Sequence, residues 1–263
     1  MIHKNKQKGS LTVIGTGIKA RFHISPEAKS ALKYADKVLY LVADTLTEHW
    51  IRELNPTSES LTNCYADGKK RIDSYVEMIQ IILGEVRKGL RVCVAFYGHP
   101  GVGVYPSQKA IRIARSEGFE ARMQPGISSM DCLFADLGID PLSDGCQNFE
   151  ATDFVIHKRV FDPRSALVLW QVGFLADVSY KASGKYDLRY LIVLQEVLLT
   201  HYPPDHKIIL YFAATISLAE PSILKLRLKQ LANSSFHGGY TMYVPPIKQT
   251  DPDHDMLKRL GLS

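Results

Sequence analysis

Two tyrosines and an arginine lie close together in the stretch YADGKKRIDSYVEM, which begins at Tyr65. Arg71 and Tyr75 are four residues apart, so on a helix their side chains would share one face. A guanidinium stays protonated at physiological pH, and its charge favours the ionised form of a neighbouring phenol. The stretch could therefore form a site that removes a proton from a weakly acidic group. The alternative is a solvated helix start in which Arg71 and Tyr75 form a surface stacking pair.

A glycine turn follows the first predicted strand, in LTVIGTGIKA. Its GTGIKA segment matches the G-x-G-x-x-A pattern of dinucleotide-binding turns, in which a helix begins within the glycines and points at a pyrophosphate. Here the best helix start is Ser25-Pro26, well beyond Gly17, because serine is a good N-cap and proline suits the first helical position. The expected acidic residue, Asp44, also stands too far downstream. We interpret the segment as a tight turn under a ligand rather than as a nicotinamide or flavin site.

The stretch AFYGHPGVGVYP ends a buried strand at Tyr97 and opens a loop with Gly98, Gly101 and Gly103. Glycines give a backbone freedom to approach a ligand closely. Ligands of open α/β sheets bind at the carboxyl ends of the strands, where loops of this kind lie. The loop is therefore a candidate ligand-binding loop, in which His99 either contacts the ligand or only stabilises the turn.

The order of apolar runs predicts an α/β protein. Strands alternate with helices up to about residue 120, which favours a parallel sheet covered on both faces. One long helix is expected over about 69–88, capped by Asp67. The second half predicts further strands and helices with longer connections, which suggests a mixed sheet: strands at 166–172, 206–214 and 238–246, and helices at about 184–199 and 219–232.

These patterns divide the chain into a flexible basic N-terminal arm (1–10), an N-terminal α/β domain (11–120) and a C-terminal α/β domain (121–263). The 263 residues carry a net charge of +5 without a continuous basic face, so nucleic acid is not an implied partner. The four cysteines show no zinc-ligand spacing, and no metal is expected. No apolar run approaches the ~20 residues that span a bilayer. We expect a cytoplasmic protein without membrane association.

Several motifs occur in a characteristic order: the glycine turn, YGHPG, PGISSMD at 125–131, WQV and YTMYVPP. As an ordered set they resemble the tetrapyrrole methylase superfamily, whose two α/β domains hold S-adenosylmethionine in the cleft between them. Tetrapyrrole enzymes usually have G-D-P in the loop, whereas this sequence has Gly98-His99-Pro100. YGHPGV, together with Tyr65, Arg71 and Tyr75, is similar to the borosin peptide backbone N-methyltransferases, which methylate backbone amides of a ribosomally made precursor peptide.

The resemblance also implies a substrate. Many borosins are fused to their own substrate through a C-terminal helical clasp and core peptide. This sequence ends at Ser263, soon after YVPPIKQTDPDHDMLKRLGLS, so we expect a split borosin methyltransferase that acts on a separate precursor. Superfamily members are commonly homodimers, which suggests a homodimer here and a heterotetramer with two precursors.

The chemistry of amide methylation suggests the catalytic roles, although the sequence leaves open which tyrosine takes the proton, and the resemblance implies the cofactor contacts. Tyr75 is expected to be the base and Arg71 to support its ionised form and the imidate, while Tyr65 and Tyr97 contact the substrate carbonyl and the methyl donor. S-adenosylhomocysteine would be the product. The expected cofactor contacts are Tyr97, His99, Val102, Val104, Ser128, Gln171, Ala213, Tyr240 and Thr241.

Two alternatives remain open at the level of sequence. One is a methyltransferase of the same fold that acts on a tetrapyrrole or on RNA, since fold alone does not determine substrate. The other is a non-catalytic sensor of a nucleotide metabolite, which would need the glycine-rich loop but neither Arg71 nor Tyr75.

Overall fold

A computed structural model describes residues 8–19, 21–216, 218–247 and 251–262. Most of the predicted N-terminal arm, residues 1–7, lies outside the described residues. Ser10 already belongs to the first strand. Among the described residues, no helix is both long enough and apolar enough to cross a membrane.

The first sheet has five strands, all parallel, as the alternating pattern predicts. The strand order is β3-β2-β4-β1-β5, so the first strand of the chain lies inside the sheet. Val13 of the first strand is paired with Val94 on one side and Met123 on the other. The strands are β1 (Ser10–Gly15), β2 (Lys37–Leu41), β3 (Ser58–Ser60), β4 (Arg91–Phe96) and β5 (Glu120–Gln124).

Five helices accompany this sheet: α1 (Pro26–Tyr34), α2 (Thr45–Leu54), α3 (Arg71–Arg87), α4 (Tyr105–Ser116) and α5 (Ser129–Leu137). Ser25 caps α1 through a bond from the Ala28 amide, with proline at the first helical position, as predicted. Asp44 caps α2 through the Thr47 amide. The predicted cap of α3 is wrong, because Lys70 is its N-cap residue and makes no side-chain cap bond.

Alternate residues of each strand point to opposite faces, so the sheet has a core on each side. Leu11 and Val13 of β1 pack with α3 and α4, in a cluster that includes Ile82. Ile14, the next residue of the same strand, packs with α1 and α2 in a second cluster that contains Trp50. Both faces of the sheet are thus covered, and the ends of its strands remain for other contacts.

The second sheet is mixed, as predicted. Its order is β6-β7-β10-β8-β9, in which β6 and β7 are parallel and the other neighbours antiparallel. The strands are β6 (Cys146–Glu150), β7 (Ala166–Trp170), β8 (Lys207–Phe212), β9 (Ser222–Arg227) and β10 (Thr241–Val244), and the helices are α6 (Ala151–Ile156), α7 (Leu191–Leu199) and α8 (His254–Leu260).

The helix predicted over 219–232 is wrong. Residues Ser222–Arg227 form the edge strand β9, and only Leu228–Asn233 turn as a 3₁₀ helix. Leucine and lysine favour a helix locally, but all six residues of β9 pair with β8, and this pairing overrides the local preference. The helix predicted from 184 begins only at Leu191, after a 3₁₀ turn.

The chain forms two compact units that interleave along the sequence. The first runs up to Leu137 and also takes in Val178–Ser183 and Ala213–Pro221. The second comprises Gly138–Asp177, Gly184–Phe212 and the residues from Ser222 onward. Helix α5 lies beyond residue 120 and groups with the first unit. The domain limits 11–120 and 121–263 stay a prediction.

Candidate functional site

Three glycines lie against one another at the carboxyl ends of β1, β4 and β5. A Cβ added to Gly15 would lie 2.4 Å from the carbonyl oxygen of Gly98, and one added to Gly126 would lie 2.5 Å from the same atom. Only glycine allows three backbones to approach so closely. The loops after these strands are thereby held together at the edge of the sheet where ligands of α/β proteins bind.

The turn after β1 is joined to the loop after β4. Gly17 and Gly98 exchange backbone hydrogen bonds of 3.3 and 2.8 Å, and both have positive φ, +72° and +67°. His23 closes the turn, because its Nδ1 accepts from the amides of Ile18 and Lys19, each at 3.3 Å. No helix begins within the glycines, which agrees with a tight turn rather than a dinucleotide-binding turn.

His99 is a structural part of the glycine-rich loop. Its Nδ1 accepts a hydrogen bond of 2.9 Å from the amide of Gly101. A Cβ on Gly101 would lie 3.0 Å from the imidazole, so the ring packs closely on this backbone. With Nδ1 used as an acceptor, Nε2 is the ring nitrogen that carries the proton in the neutral tautomer.

The loop exposes an apolar surface. Tyr97 is 51% exposed and Val102 is 43% exposed, while Ile127 of the neighbouring loop is also exposed. Val104, at the N-cap position of α4, is half-buried. A Cβ on Gly103 would meet nothing within 4 Å. The loop thus presents open space and apolar side chains beside the close-packed glycines.

The start of α3 is held by a segment from the second half of the sequence, Val178–Ser183, which we call the 178–183 segment. The Arg71 amide donates to the Val178 carbonyl at 2.9 Å. Tyr180 accepts from the Gly68 amide and donates to the Lys69 carbonyl, both at 2.9 Å. Main-chain bonds from this segment replace a side-chain cap at the helix that carries Arg71 and Tyr75.

The carboxylate of Asp67 also anchors the 178–183 segment. It accepts a hydrogen bond of 2.9 Å from the Ala182 amide. This bond explains why Asp67 is not the cap of α3. Asp67 instead binds Ala182, which lies 115 positions further along the chain.

Four tyrosines form a cluster at this place. Tyr65 stacks on Tyr180 with ring centroids 4.7 Å apart and planes at 18°. Its edge meets Tyr75 at 6.5 Å and 79°, and Tyr75 in turn lies 6.2 Å from Tyr105. Tyr105 is the first residue of α4, directly after the glycine-rich loop. The cluster and the loop therefore adjoin within one unit.

Burial raises the pKa of two phenols, those of Tyr65 and Tyr97. Desolvation raises the pKa of Tyr65 above its ordinary value, as do the neighbouring phenols of Tyr75 and Tyr97, and Arg71 opposes this rise. Desolvation and Tyr75 also raise the pKa of Tyr97, so its hydroxyl lies in a desolvated place although the residue is half exposed. Tyr65 and Tyr97 therefore keep their protons at neutral pH and can donate hydrogen bonds.

Lys69 is held by contacts within the protein. Its ammonium group donates to the Cys64 carbonyl at 2.8 Å and pairs with Glu77 on the next turns of α3. It therefore helps to fix the stretch between Tyr65 and the helix. The neighbouring Lys70 is exposed.

Ser128 and Ala213, two of the predicted cofactor contacts, also belong to the first unit. Ser128 is buried and caps the start of α5: its hydroxyl donates to Asp131 at 2.7 Å and accepts from the Asp131 amide. Ala213 is buried and follows β8 directly. A structural role is thus visible for Ser128.

The other predicted contacts lie in the second unit. Gln171, directly after β7, has φ +59°, a left-handed conformation that is uncommon outside glycine. The next residue, Val172, donates its amide to the Tyr240 carbonyl at 3.2 Å. Tyr240 and Thr241 are buried, and the hydroxyl of Tyr240 donates to Ser222 at 2.6 Å. Gln171 and Tyr240 are therefore brought close within that unit.

Sequence reasoning missed Tyr105 and Tyr180. Tyr105 stands in the quoted loop stretch, and its place before Pro106 at a helix start could have indicated it. Tyr180 has no such local signal, because its contact with Tyr65 depends on the fold. Among the described residues, no group of histidine, cysteine, aspartate or glutamate could hold a metal ion.

Comparison with known proteins defines the family. Residues 10–231 match the sequence model described as Tetrapyrrole (Corrin/Porphyrin) Methylases. The chain belongs to the tetrapyrrole methylase family. The fold agrees: a cobalt precorrin-4 methyltransferase superposes with a TM-score of 0.64 at 17% identity, over 93% of this chain and 98% of that one. A Thermus thermophilus uroporphyrin-III C-methyltransferase in complex with S-adenosylhomocysteine gives 0.61 at 18%, over 91% and 93%.

Sequence relatives are more specific. A Gymnopus fusipes protein described as methyltransferase and precursor of the ribosomally synthesized cyclic gymnopeptides is 43% identical, over 98% of this chain and 62% of the relative. The corresponding omphalotin A protein of Omphalotus olearius is 40% identical, over 97% and 62%. A type III borosin precursor protein of Anomoporia bombycina is 39% identical, over 97% and 30%. The curated relatives are thus borosin methyltransferase/precursor proteins, and the chain spans about 62% of the length of the first of them.

Proposed function

We propose that this chain is an S-adenosylmethionine-dependent methyltransferase that methylates backbone amide nitrogens of a ribosomally made precursor peptide. The observation that carries the proposal is the junction of two features in one unit. Tyr97 belongs to the glycine-rich loop, and its phenol lies beside Tyr75 of the tyrosine cluster, one helical turn after Arg71. Relatives about 40% identical are described as methyltransferases and cyclic peptide precursors, which supports the same chemistry here.

The loop surface fits an adenosine-bearing methyl donor. Such a ligand needs apolar contacts for its base and a few polar groups for orientation. The exposed side chain of Val102 and the open space at Gly103 offer the former, and loop amides the latter. The residues of the first unit that we propose to hold it are Tyr97, His99, Val102, Val104, Ser128 and Ala213.

The reaction defines what the protein must supply. When bound, S-adenosylmethionine supplies an electrophilic methyl group. A backbone amide nitrogen is a poor nucleophile because its lone pair is delocalised into the carbonyl. It gains reactivity by losing its proton, which places negative charge on the carbonyl oxygen. The protein must therefore take the proton from the amide nitrogen. It must also stabilise the negative charge that develops on the carbonyl oxygen, in a site from which water is excluded.

We assign these tasks to residues of the tyrosine cluster and to its neighbours Tyr97 and Arg71. Tyr65 and Tyr97 are held protonated by desolvation, so they can donate hydrogen bonds to the carbonyl oxygen. We assign Tyr75, as its phenolate, to accept the amide proton, because it shares one face of α3 with Arg71. Arg71 lies one helical turn before it and provides the positive charge that balances a phenolate or an imidate.

The substrate is proposed to be a separate precursor, as in a split borosin system, with the enzyme as a homodimer that binds two precursors. The curated relatives combine methyltransferase and precursor in one protein, and the separate substrate is part of our proposal. The test is incubation of the chain with S-adenosylmethionine and synthetic peptides that cover the reading frames neighbouring its gene. Mass spectrometric fragmentation should place methyl groups on backbone amides. Methylation of side chains, of tetrapyrroles or of RNA would contradict the proposal.

Two substitutions test the catalytic roles. Tyr75→Phe removes the proton acceptor and should lower kcat at least ~10²-fold. Arg71→Ala removes the positive charge and should lower it by a similar factor. Calorimetric affinity for S-adenosylhomocysteine should stay within about twofold in both, because cofactor contacts remain.

A matched control is Tyr34→Phe, since Tyr34 is an exposed tyrosine on α1. It should leave kcat and cofactor affinity unchanged. Retained transfer in both Tyr75→Phe and Arg71→Ala would refute the assigned roles. Cofactor binding by the unaltered chain without any transfer would favour a non-catalytic sensor.

A further inference from the structure

Tyr180 reaches the tyrosine cluster through backbone contacts. Its amide and carbonyl both bond to the stretch before α3, through Lys69 and Gly68. A carbonyl two residues earlier, that of Val178, accepts the amide of Arg71. These bonds use main-chain atoms alone, so they persist when the Tyr180 side chain is changed.

The ring of Tyr180 covers one face of Tyr65. The two rings are 4.7 Å apart and nearly parallel, while Tyr75 meets Tyr65 edge-on. Offset-stacked and edge-to-face pairs are the preferred aromatic geometries, so Tyr65 is fixed both on its face and at its edge. The stack on Tyr180 sets the plane of the Tyr65 ring, and a side-chain hydrogen bond with Tyr75 holds its hydroxyl.

We propose that Tyr180 is a positioning residue whose aromatic ring orients Tyr65 for hydrogen bonding to the substrate carbonyl. The inference rests on the proposed function and adds a residue to its site. Only the aromatic ring of Tyr180 is needed for this orientation, and its hydroxyl is not. Loss of the ring lets Tyr65 turn away from the carbonyl oxygen, and misplaced donors weaken stabilisation of the oxyanion in the transition state.

Kinetics on the synthetic peptides provide the first test. Tyr180→Leu should lower kcat about tenfold or more, with the affinity for S-adenosylhomocysteine unchanged within about twofold. Tyr180→Phe retains the stack and should keep wild-type kcat. Tyr180→Met offers a second non-aromatic variant should the leucine variant fail to fold. The matched control is Tyr34→Leu, which removes an exposed ring on α1 and should have no effect.

A double-mutant cycle separates positioning from a general structural role. Tyr65→Phe removes the hydroxyl that Tyr180 is proposed to orient. The double variant Tyr65→Phe/Tyr180→Leu should then be no slower than Tyr65→Phe alone. Effects that multiply would overturn the inference, as would wild-type kcat in a folded Tyr180→Leu or Tyr180→Met variant.

A spectroscopic measurement that needs no catalysis tests the positioning role separately from the proposed function. Near-UV circular dichroism should lose the same tyrosine band in Tyr180→Leu and in Tyr65→Leu, and Tyr180→Phe should alter it less. A protein with this coupled band that methylates no peptide would refute the proposed function. An active protein in which Tyr65 and Tyr180 contribute independently to both the band and kcat would refute the positioning role.

Discussion

At the residue scale, several side chains in and beside the glycine loops accept hydrogen bonds from backbone amides. His23 accepts two amides of the turn after β1, and His99 accepts one amide of the loop after β4. Ser128 does the same at the start of α5. Polar residues that a resemblance assigns to ligand binding can therefore also stabilise the loop conformation. A substitution at such a residue should be checked for its effect on the loop as well as for its effect on ligand binding.

His23 predicts a dependence of stability on pH. Desolvation and Lys19 lower its pKa below the ordinary value of 6.5, so the unfolded chain binds a proton more readily than the folded one. The stabilisation is complete above pH 6.5 and is lost as the pH falls through the lower folded pKa. Protonated Nδ1 can no longer accept the amides of Ile18 and Lys19.

The measurement is the urea midpoint at pH 7.5 and pH 5.0, roughly one pH unit or more on either side of an ordinary histidine pKa. His23→Asn keeps an acceptor but does not titrate, so the midpoint of the unaltered protein should fall further than that of the variant. Other histidines contribute equally to both proteins. Equal losses would contradict the role of His23.

At the element scale, the ends of β1, β4 and β5 depend on two different properties of glycine. Gly15 is needed for space, because an added Cβ would lie 2.4 Å from the Gly98 carbonyl oxygen. Gly103 has open space around it and is needed only for its φ of +67°. The close approach at Gly15 allows the ends of neighbouring strands to pack together, whereas the positive φ at Gly103 affects the conformation of one loop only.

Alanine substitutions should separate these two properties. Gly15→Ala overpacks backbone atoms and should cost about 3 kcal/mol or more of unfolding free energy. Gly103→Ala imposes only the left-handed conformation and should cost about 1–2 kcal/mol. Urea denaturation of both variants gives the comparison. A milder effect at position 15 than at position 103 would contradict the packing of the three strand ends.

At the scale of the whole molecule, each unit has its own sheet and its own buried core. The chain has two tryptophans, and they fall one in each unit: Trp50 on α2 and Trp170 at the end of β7. Replacement of either by phenylalanine leaves a single fluorescent reporter. The unfolding of each unit can thus be followed in the variant that keeps the tryptophan of that unit.

Core truncations should be recorded by the reporter of their own unit. Ile82→Ala in the first unit and Leu194→Ala in the second each remove a fully buried side chain, at a cost of about 2–5 kcal/mol. The Trp50 midpoint should fall in the former and the Trp170 midpoint in the latter. Val76→Ala and Val193→Ala are exposed controls on the same helices. An unchanged midpoint for either truncation would contradict its place in the core.

The sequence alone determined the features that local patterns encode. Apolar runs and caps predicted the parallel and mixed sheets and the start of α1 at Ser25-Pro26, because both depend on neighbouring residues. The ordered motifs predicted the family, and the stretch that begins at Tyr65 predicted that Tyr65, Arg71 and Tyr75 lie together. Spacing along one helix was sufficient for the last two residues.

The tertiary structure decided what depends on partners far along the chain. The cap of α3 comes from the 178–183 segment, and the stack on Tyr65 comes from Tyr180. Edge strand β9 replaced a predicted helix because β8 pairs with it along its whole length. Backbone hydrogen bonds and ring contacts can be satisfied by any segment that the fold brings near, so sequence periodicity carries no record of which one does.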